Sequence, residues 1–249
     1  MTSGRNEAPR SVSLPRIGTI HSCFTDRFGI PRQPGLAPHA TAELILESPF
    51  DNPDMLSGLE TCSHVWIQFL FHCTGARGWH PTVRPPRLGG NRRIGVFASR
   101  SPFRPAPIGL SVVCLEGLLT GSSRVGLLLR DHDLADGTPV LDIKPYLPWS
   151  DSLPEARPPA GFEEPPPAPL DVVFAAEVEA MCMQAERQGV PLRGLIEDVL
   201  RQDPRPAYRQ RQEGHIHGTR LHGFDVRWQV RQGCAEVVEI VTQEPRCSR

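Results

Sequence analysis

A proline-rich stretch divides the 249-residue chain into two unequal parts. Seven prolines fall between positions 150 and 170, and the charged residues among them are mostly acidic. Prolines at this density exclude helix interiors and central strands, so residues 150–170 are predicted to form a stiff, extended linker. The sequence therefore predicts two domains, at 15–149 and 171–245, preceded by a disordered tail at 1–14.

The part of the chain before the linker has the pattern of a β protein. The segment Val65-Trp-Ile-Gln-Phe-Leu-Phe71 is apolar on nearly both faces, and helical periodicity is missing throughout 15–149. Strands buried on both sides favour a closed or nearly closed sheet over layered α/β structure. We therefore predict a mainly β, barrel-like N-terminal domain. Its predicted strands are Arg16–Ile20, Ala42–Glu47, His64–His72, Arg93–Ser99, Ile108–Leu118, Arg124–Arg130 and Val140–Lys144.

The part after the linker mixes helical and strand patterns. Apolar residues recur at helical spacing from Phe174 to Ala185, and Pro191 precedes a second such run, which predicts helices at about 172–188 and 191–202. Strict alternation over 224–230, followed by a turn with Gly233, then predicts a hairpin that ends near Thr242. The predicted C-terminal domain is small and α+β.

Charge is distributed very unevenly along the sequence. The whole chain has a net charge of −1, yet residues 61–115 contain seven arginines and neither Asp nor Glu. Genome composition can explain why these residues are Arg rather than Lys, but it does not explain the missing acids. The stretch is therefore predicted to form a functional basic surface that binds an anion, either a carboxylate or phosphates.

Several common functional classes lack their sequence signatures here. No Gly-x-Gly-x-x-Gly follows a strand, and there is neither a Walker loop nor a His-Glu-x-x-His motif. The seven cysteines are scattered singly, which predicts reduced, mostly buried thiols. No apolar run approaches the ~20 residues of a membrane span, and residues 1–10 lack a signal-peptide core, so we expect a cytoplasmic protein.

Three histidines close together raise the question of a metal site. His215 and His217 would share one face of a strand, with His222 nearby. No neighbouring Cys or carboxylate completes a recognisable ligand set, so the prediction is no metal, with the three rings on the surface facing RNA or solvent.

The most specific signal is a combination of short motifs. They are Pro31-Arg-Gln33, Phe71-His-Cys73, Arg84-Pro-Pro-Arg-Leu-Gly-Gly-Asn91, the loop Arg100–Gly109, Asp136-Gly-Thr-Pro139 continuing to Tyr146, and Asp203-Pro-Arg-Pro-Ala-Tyr208. Taken singly, each has an ordinary structural explanation: Asp-Gly forms turns without any ligand, and a Pro-rich turn can merely connect a helix to a strand. In combination, the sequence resembles the TrmO/TsaA-like family of β-barrel, S-adenosylmethionine-dependent methyltransferases, which act on a modified adenosine beside the tRNA anticodon.

The resemblance implies a cofactor site at the mouth of the barrel. Methyl-donor recognition requires a cation for the methionine carboxylate, an apolar slot for adenine and acceptors for hydroxyl and amine groups, and Arg100, Leu110 and Asp136 suit these three tasks. At position 73, where family members carry a longer polar residue, this chain has a cysteine. The implied contacts are Pro31, Arg32, Gln33, His72, Cys73, Arg100, Leu110, Asp136, Gly137, Thr138 and Pro139.

The Pro-rich turn at 203–208 and the basic residues indicate where RNA binds. Tyr208 would stack on the target base and Asp203 would accept from its polar edge, with the second domain serving the RNA rather than the cofactor. The arginines expected to contact phosphates are Arg77, Arg84, Arg87, Arg92, Arg93, Arg205, Arg209 and Arg211.

The predicted function is therefore methyl transfer from S-adenosylmethionine to N6 of threonylcarbamoyladenosine in tRNA, by a homodimer. The alternative is a non-enzymatic module that binds S-adenosylmethionine and RNA without transferring methyl.

Overall fold

The computed structural model describes residues 11–74, 78–121, 123–164, 170–205 and 212–242. Within these ranges the chain forms a β-barrel followed by a smaller sheet covered by two helices. No helix in the described part of the chain is long and apolar enough to cross a membrane. The predicted class, a barrel-like first domain and a small α+β second domain, is confirmed.

Six antiparallel strands close the barrel in the order β1-β2-β7-β6-β3-β8. In chain order they are β1 (Gly18–Ser22), β2 (Thr41–Leu46), β3 (His64–Leu70), β6 (Ile108–Gly121), β7 (Arg124–Arg130) and β8 (Pro139–Pro145). The intervening β4 (Thr82–Val83) and β5 (Ile94–Gly95) form a separate two-stranded ribbon. Most predicted strand positions are thus confirmed to within a few residues.

Alternation along the strands fills the barrel interior. In β3, Val65, Ile67 and Phe69 are buried while the residues between them are only partly covered, as the two-residue period of a strand requires. Gly109 on β6 faces the Phe69 ring so closely that a Cβ built at position 109 would overlap it. The absence of a side chain there is therefore what allows Phe69 to occupy this end of the barrel.

The predicted strand Arg93–Ser99 is wrong. Only Ile94 and Gly95 pair, with Val83 and Thr82, and the chain then turns into a short 3₁₀ helix at Val96–Ala98. Apolar residues at alternate positions, Ile94 and Val96, resemble the pattern of a strand. The large apolar side chain of Phe97, however, is 77% exposed and is not part of a core. The barrel closes without this segment, which lies outside the barrel.

The second domain is a four-stranded sheet in the order β10-β11-β12-β9. Its elements are β9 (Asp171–Phe174), α2 (Ala176–Arg187), α3 (Leu192–Arg201), β10 (His217–Leu221), β11 (Phe224–Arg231) and β12 (Cys234–Thr242), and a short helix α1 (Pro148–Asp151) follows the barrel. The predicted helix start at 172 is corrected, because residues 171–174 pair in parallel with β12. Strand β10 was not predicted from the sequence, because Gly218, Thr219 and Arg220 interrupt any apolar run.

The two domains share one hydrophobic core. Phe24, Ala37 and Ala40, from the loop between β1 and β2, are buried in the same cluster as the apolar faces of α2, α3 and β10–β12. Polar contacts reinforce the junction, since the Gln202 amide donates to the Leu36 carbonyl at 2.7 Å. The second domain therefore supports the loop that carries Pro31-Arg-Gln33, which corrects the expectation that it serves the RNA alone.

The linker is partly docked on the barrel domain. Arg87 donates from Nε to the Gly161 carbonyl at 2.8 Å, also contacts the Glu164 carbonyl, and lies 5.6 Å from the centroid of the Phe162 ring. Residues 152–160 are exposed, as expected of an extended connection, and 165–169 lie outside the described residues.

Candidate active site

A cavity of about 680 Å³ opens at one end of the barrel. The C-terminal ends of β3 and β7 and the N-terminal ends of β6 and β8 meet there, because neighbouring strands run antiparallel. Two loops complete the wall, one before β2 and one before β6. The volume lies within the roughly 300–1,000 Å³ that is typical of small-molecule sites.

Most of the sequence-predicted cofactor residues are brought together in this wall. They come from four separate parts of the chain, which only folding places side by side. Those that line the cavity are Pro31, Arg32, Gln33, His72, Cys73, Arg100, Leu110 and Thr138.

The remaining three, Asp136, Gly137 and Pro139, are not in the cavity wall. They form the turn that enters β8: Asp136 Oδ1 accepts from the Ser22 amide at 2.9 Å, and Gly137 has a φ of 75°. Such a backbone angle favours glycine. One oxygen of the Asp136 carboxylate therefore holds the turn against β1, and the role of Asp136 as a ligand acceptor stays a prediction.

Arg100 connects two walls of the cavity. Its Nη1 donates to Gln33 Oε1 at 2.6 Å, and Gln33 Nε2 in turn donates to the Arg32 carbonyl at 2.5 Å. On the Arg100 side the loop is ordered by Arg104, whose Nη1 donates to the Ser99 carbonyl at 3.2 Å. The Pro31-Arg-Gln33 motif and the proline-rich loop are thus joined through a guanidinium that stays exposed to the cavity mouth.

The His72-Cys73 pair begins two residues after Leu70, the last residue of β3. The Cys73 sulfur lies 3.1 Å from His72 Nε2, so the two side chains contact each other at the edge of the cavity. A ligand contact from Cys73 remains a prediction.

Sequence analysis missed a carboxylate in the cavity wall. Asp133 follows β7, and Ser111 of β6 donates to its Oδ1 at 2.6 Å. Burial raises the pKa of Asp133 to about 6, while the hydrogen bond from Ser111 and the charge of Arg100 oppose the shift. The missed signal was the short acidic run Asp131-His-Asp133 directly after a predicted strand.

Next to it, His132 is fully buried and neutral. Burial lowers its pKa to about 4, and its Nδ1 accepts from the Leu134 amide at 3.1 Å. The ring lies edge-on to Phe24, with centroids 5.2 Å apart, so it belongs to the junction between the domains.

The five acid-free arginines that are predicted to contact phosphates differ in their surroundings. Arg84, Arg92 and Arg93 are exposed, and two exposed aromatic rings accompany them, Trp79 at 57% and Phe97 at 77%. Arg87 is different, since its guanidinium is occupied by backbone carbonyls of the linker, and its predicted contact with RNA is corrected accordingly. The remaining residue of the group, Arg77, lies outside the described residues.

Asp203 and Arg205 form a buried ion pair. They are 5% and 3% exposed, with Nε 2.7 Å from Oδ1 and Nη2 2.8 Å from Oδ2. Neither side chain faces solvent, so the predicted roles of Asp203 toward a base and of Arg205 toward phosphate are corrected. The pair instead holds residues 203–205 in place. The other predicted RNA contacts of this stretch, Tyr208, Arg209 and Arg211, lie outside the described residues.

The three histidines are not equivalent. His215 is exposed, as predicted, whereas His217 is 5% exposed with its ring 4.9 Å from that of Trp228. The prediction of a surface position is therefore wrong for His217, because the inward register of β10 buries it. The described residues contain no group of three or more His, Cys, Asp or Glu side chains arranged to hold a metal ion.

Comparison with known proteins agrees with this geometry over both domains. Residues 19–152 match the family model of the tRNA-methyltransferase O N-terminal domain, and residues 167–243 match that of the TrmO C-terminal domain. A tRNA (adenine(37)-N6)-methyltransferase of Escherichia coli is 48% identical over 95% of this chain and 99% of its own length.

Two further relatives come from Pseudomonas aeruginosa. One, named as a candidate S-adenosylmethionine-dependent methyltransferase, is 48% identical over 87% of this chain and 91% of its own. The crystal structure of TrmO from that organism superposes with a TM-score of 0.78 at 39% identity, covering 95% of this chain and all of the other. With both domains matched in order and the barrel shared, the chain belongs to the tRNA-methyltransferase O family.

Proposed function

We propose that the protein transfers a methyl group from S-adenosylmethionine to N6 of adenosine 37 in tRNA, and that the acceptor is the threonylcarbamoylated form of that nucleoside. One observation carries the proposal: eight residues of the family's cofactor motifs converge on a single cavity at the barrel mouth. The full-length relative from Escherichia coli, which carries the name of this activity, supports it.

The cavity wall fits the chemistry of the donor. S-adenosylmethionine supplies a methyl group on positively charged sulfur, which leaves as a neutral thioether. Arg100 offers a fixed guanidinium for the donor's carboxylate, and Leu110, 48% exposed at the cavity, offers an apolar surface for adenine. Gln33 and Thr138 add hydrogen-bonding groups at the wall.

The RNA is proposed to approach over the ribbon β4-β5. Exposed Arg84, Arg92 and Arg93 offer phosphate contacts there, and Trp79 and Phe97 offer rings on which unstacked bases can lie. This combination of separated cations and exposed aromatic rings is typical of surfaces that hold single-stranded nucleic acid, such as an anticodon loop.

The protein's contribution to the reaction is positioning. An activated methyl donor needs the acceptor nitrogen held in line at roughly 3–3.5 Å, and preorganised loops meet that requirement. The link from Arg100 through Gln33 to Arg32 holds the two loops of the mouth together before any ligand arrives. Tyr208 remains the proposed stacking partner of the target base, and in the sequence it follows the buried Asp203–Arg205 pair by three residues.

The homodimer implied by the family resemblance is also proposed. The segment after β8 exposes three large apolar side chains within seven positions, Leu147 at 41%, Trp149 at 84% and Leu153 at 70%. Exposed apolar side chains of this kind are often covered at subunit interfaces. Light scattering on the purified chain gives the mass directly, and a monomer would contradict this part of the proposal.

The test supplies methyl-labelled donor with purified tRNA that carries or lacks threonylcarbamoyladenosine, followed by nucleoside analysis. We expect label only in the threonylcarbamoylated nucleoside. Arg100→Ala should abolish most transfer, whereas Arg124→Ala, at the opposite end of the barrel and paired with Glu43, should retain it. Tight donor binding without transfer to either tRNA would instead support a non-enzymatic binding module.

A further inference from the structure

The charges around the cavity are arranged asymmetrically. Among the described residues that line it, four are arginines (Arg27, Arg32, Arg100 and Arg104) and one, Asp133, is a carboxylate. A cavity built only to bind an anion would gain nothing from an acidic side chain in its wall, because a like charge repels the ligand. The retained carboxylate therefore indicates that part of the ligand is positively charged.

Asp133 is held in place by the buried residues around it. Ser111, only 2% exposed within β6, donates to Oδ1 at 2.6 Å, and the backbone on either side of Asp133 is fixed by His132 and Leu134, both fully buried. A side chain fixed in this way is preorganised to receive a cation with little loss of conformational freedom.

Arg100 is close enough to Asp133 for its charge to lower the Asp133 pKa. The cavity wall thus presents a guanidinium and a carboxylate that face one space without forming an ion pair with each other, since Arg100 is hydrogen-bonded to Gln33 and Asp133 to Ser111. An α-amino acid zwitterion has the complementary pair of charges on two groups bonded to the same carbon.

We propose that Asp133 and Arg100 together recognise the amino-acid end of the methyl donor, with Asp133 accepting from the α-ammonium group and Arg100 donating to the α-carboxylate. This inference rests on the proposed function, because it assumes that S-adenosylmethionine occupies the cavity. It assigns to Asp133 a binding role, and to Ser111 the role of a positioning residue.

The test is calorimetric titration of the full chain with two ligands that share an adenosine thioether. S-adenosylhomocysteine carries the zwitterion, and methylthioadenosine lacks it. Asp133→Asn should weaken S-adenosylhomocysteine binding by about ten- to hundredfold while changing methylthioadenosine binding less than twofold. Asp142→Asn, which removes an exposed carboxylate paired with Lys144 on β8, is the matched control and should change neither.

The same titrations, extended to S-adenosylmethionine and combined with the methyl-transfer assay, separate the competing roles. An equal loss for both ligands would show that Asp133 only supports the fold, and would overturn the inference. A loss confined to S-adenosylmethionine, with S-adenosylhomocysteine unchanged, would place the carboxylate at the sulfonium and also overturn it. Unchanged binding of all ligands combined with a lower rate of methyl transfer would make Asp133 a proton acceptor instead.

The wild-type titration distinguishes this inference from the proposed function. If the unmodified protein binds neither S-adenosylhomocysteine nor S-adenosylmethionine, the proposed function itself fails. If it binds both and Asp133→Asn binds them equally well, only the role of Asp133 fails. Ser111→Ala should give a smaller loss in the same direction as Asp133→Asn, since it frees the carboxylate without removing its charge.

Discussion

The His39 amide donates to Asp198 Oδ2 at 2.9 Å, and the His39 ring nitrogen Nδ1 lies 3.0 Å from the same oxygen. The two residues are 159 positions apart. Asp198 belongs to α3 of the second domain, whereas His39 ends the loop that carries Pro31-Arg-Gln33. One carboxylate oxygen therefore ties the cavity loop to the second domain.

Asp198→Ala is expected to weaken S-adenosylhomocysteine binding several-fold, because the loop loses its tie to α3. Leaving the His39 amide unpaired should also lower the free energy of unfolding by about 1–3 kcal/mol. Urea denaturation and calorimetry measure the two effects. The neighbouring Glu197→Ala, which breaks only the pairs with Arg193 and Arg201, should cost less than about 1 kcal/mol and leave ligand binding intact. Equal effects from both variants would contradict the role of Asp198 in holding the cavity loop.

Gly109→Ala is expected to disturb the cavity from inside the barrel. The new methyl group would overlap the Phe69 ring, which is 6% exposed and itself lines the cavity, so overpacking should cost about 1–3 kcal/mol. Gly117→Ala on the same strand is the control, because its Cβ would lie an ordinary 3.7 Å from Leu128. Thermal unfolding compares the two, and equal melting temperatures would show that Phe69 can move aside.

Arg205→Met should be more damaging than the double substitution Asp203→Asn/Arg205→Met. Removing one partner leaves the Asp203 carboxylate buried without its cation, at a cost of about 3–5 kcal/mol, whereas the double variant removes the charge as well. Asn suits position 203 because the backbone there has a φ of 45°, which Asn tolerates. Guanidinium denaturation gives both values, and a double variant less stable than the single one would contradict this account.

Because His132 is buried, we expect the free energy of unfolding to fall on acidification. Its pKa is about 4 in the folded chain, below the ordinary value of about 6.5, so the unfolded state binds more protons between these pH values. Its contribution is therefore fully present above about pH 6.5 and is lost, by about 3 kcal/mol, as the pH falls toward 4. His132→Asn, whose Oδ1 can replace Nδ1 toward the Leu134 amide, should flatten this dependence.

The effect of His132 must be measured as the difference in pH dependence between the wild type and His132→Asn, because Asp133 acts on stability in the opposite direction. Its raised pKa of about 6 means that its contribution to stability falls as the pH rises from about 4 to 6, in wild type and variant alike. Denaturation at pH 7 and pH 4.5 measures the difference, with His21→Asn, an exposed histidine of β1, as the control. An unchanged pH dependence in His132→Asn would show that another group is responsible.

Much of the barrel could be predicted from the sequence because strand alternation is a local property. Val65, Ile67 and Phe69 indicate an inward face whatever their neighbours are, and the fold follows once six such strands must close. The strand predicted at 93–99 is wrong for the same reason, since alternation alone does not reveal whether a segment finds a partner strand.

The candidate site was predictable only in part, and the errors concern side-chain partners. Motif resemblance found the loops of the cavity, but it could not distinguish Asp136, which holds a turn, from Asp133, which lines the wall three residues earlier. Arg87 and Arg205 similarly look like phosphate ligands in a basic sequence, whereas folding pairs them with carbonyls and with Asp203. Long-range pairing of this kind leaves no trace in local composition.

The shared core has a consequence for the integrity of the chain. Residues 152–160 are exposed and irregular, which makes them the kind of segment that proteases cut first. A cut there would not separate the two halves, since Phe24, Ala37 and Ala40 remain embedded between α2, α3 and the second sheet. The nicked protein would therefore migrate as two fragments under denaturing conditions and as one particle in solution, with both walls of its cavity in place.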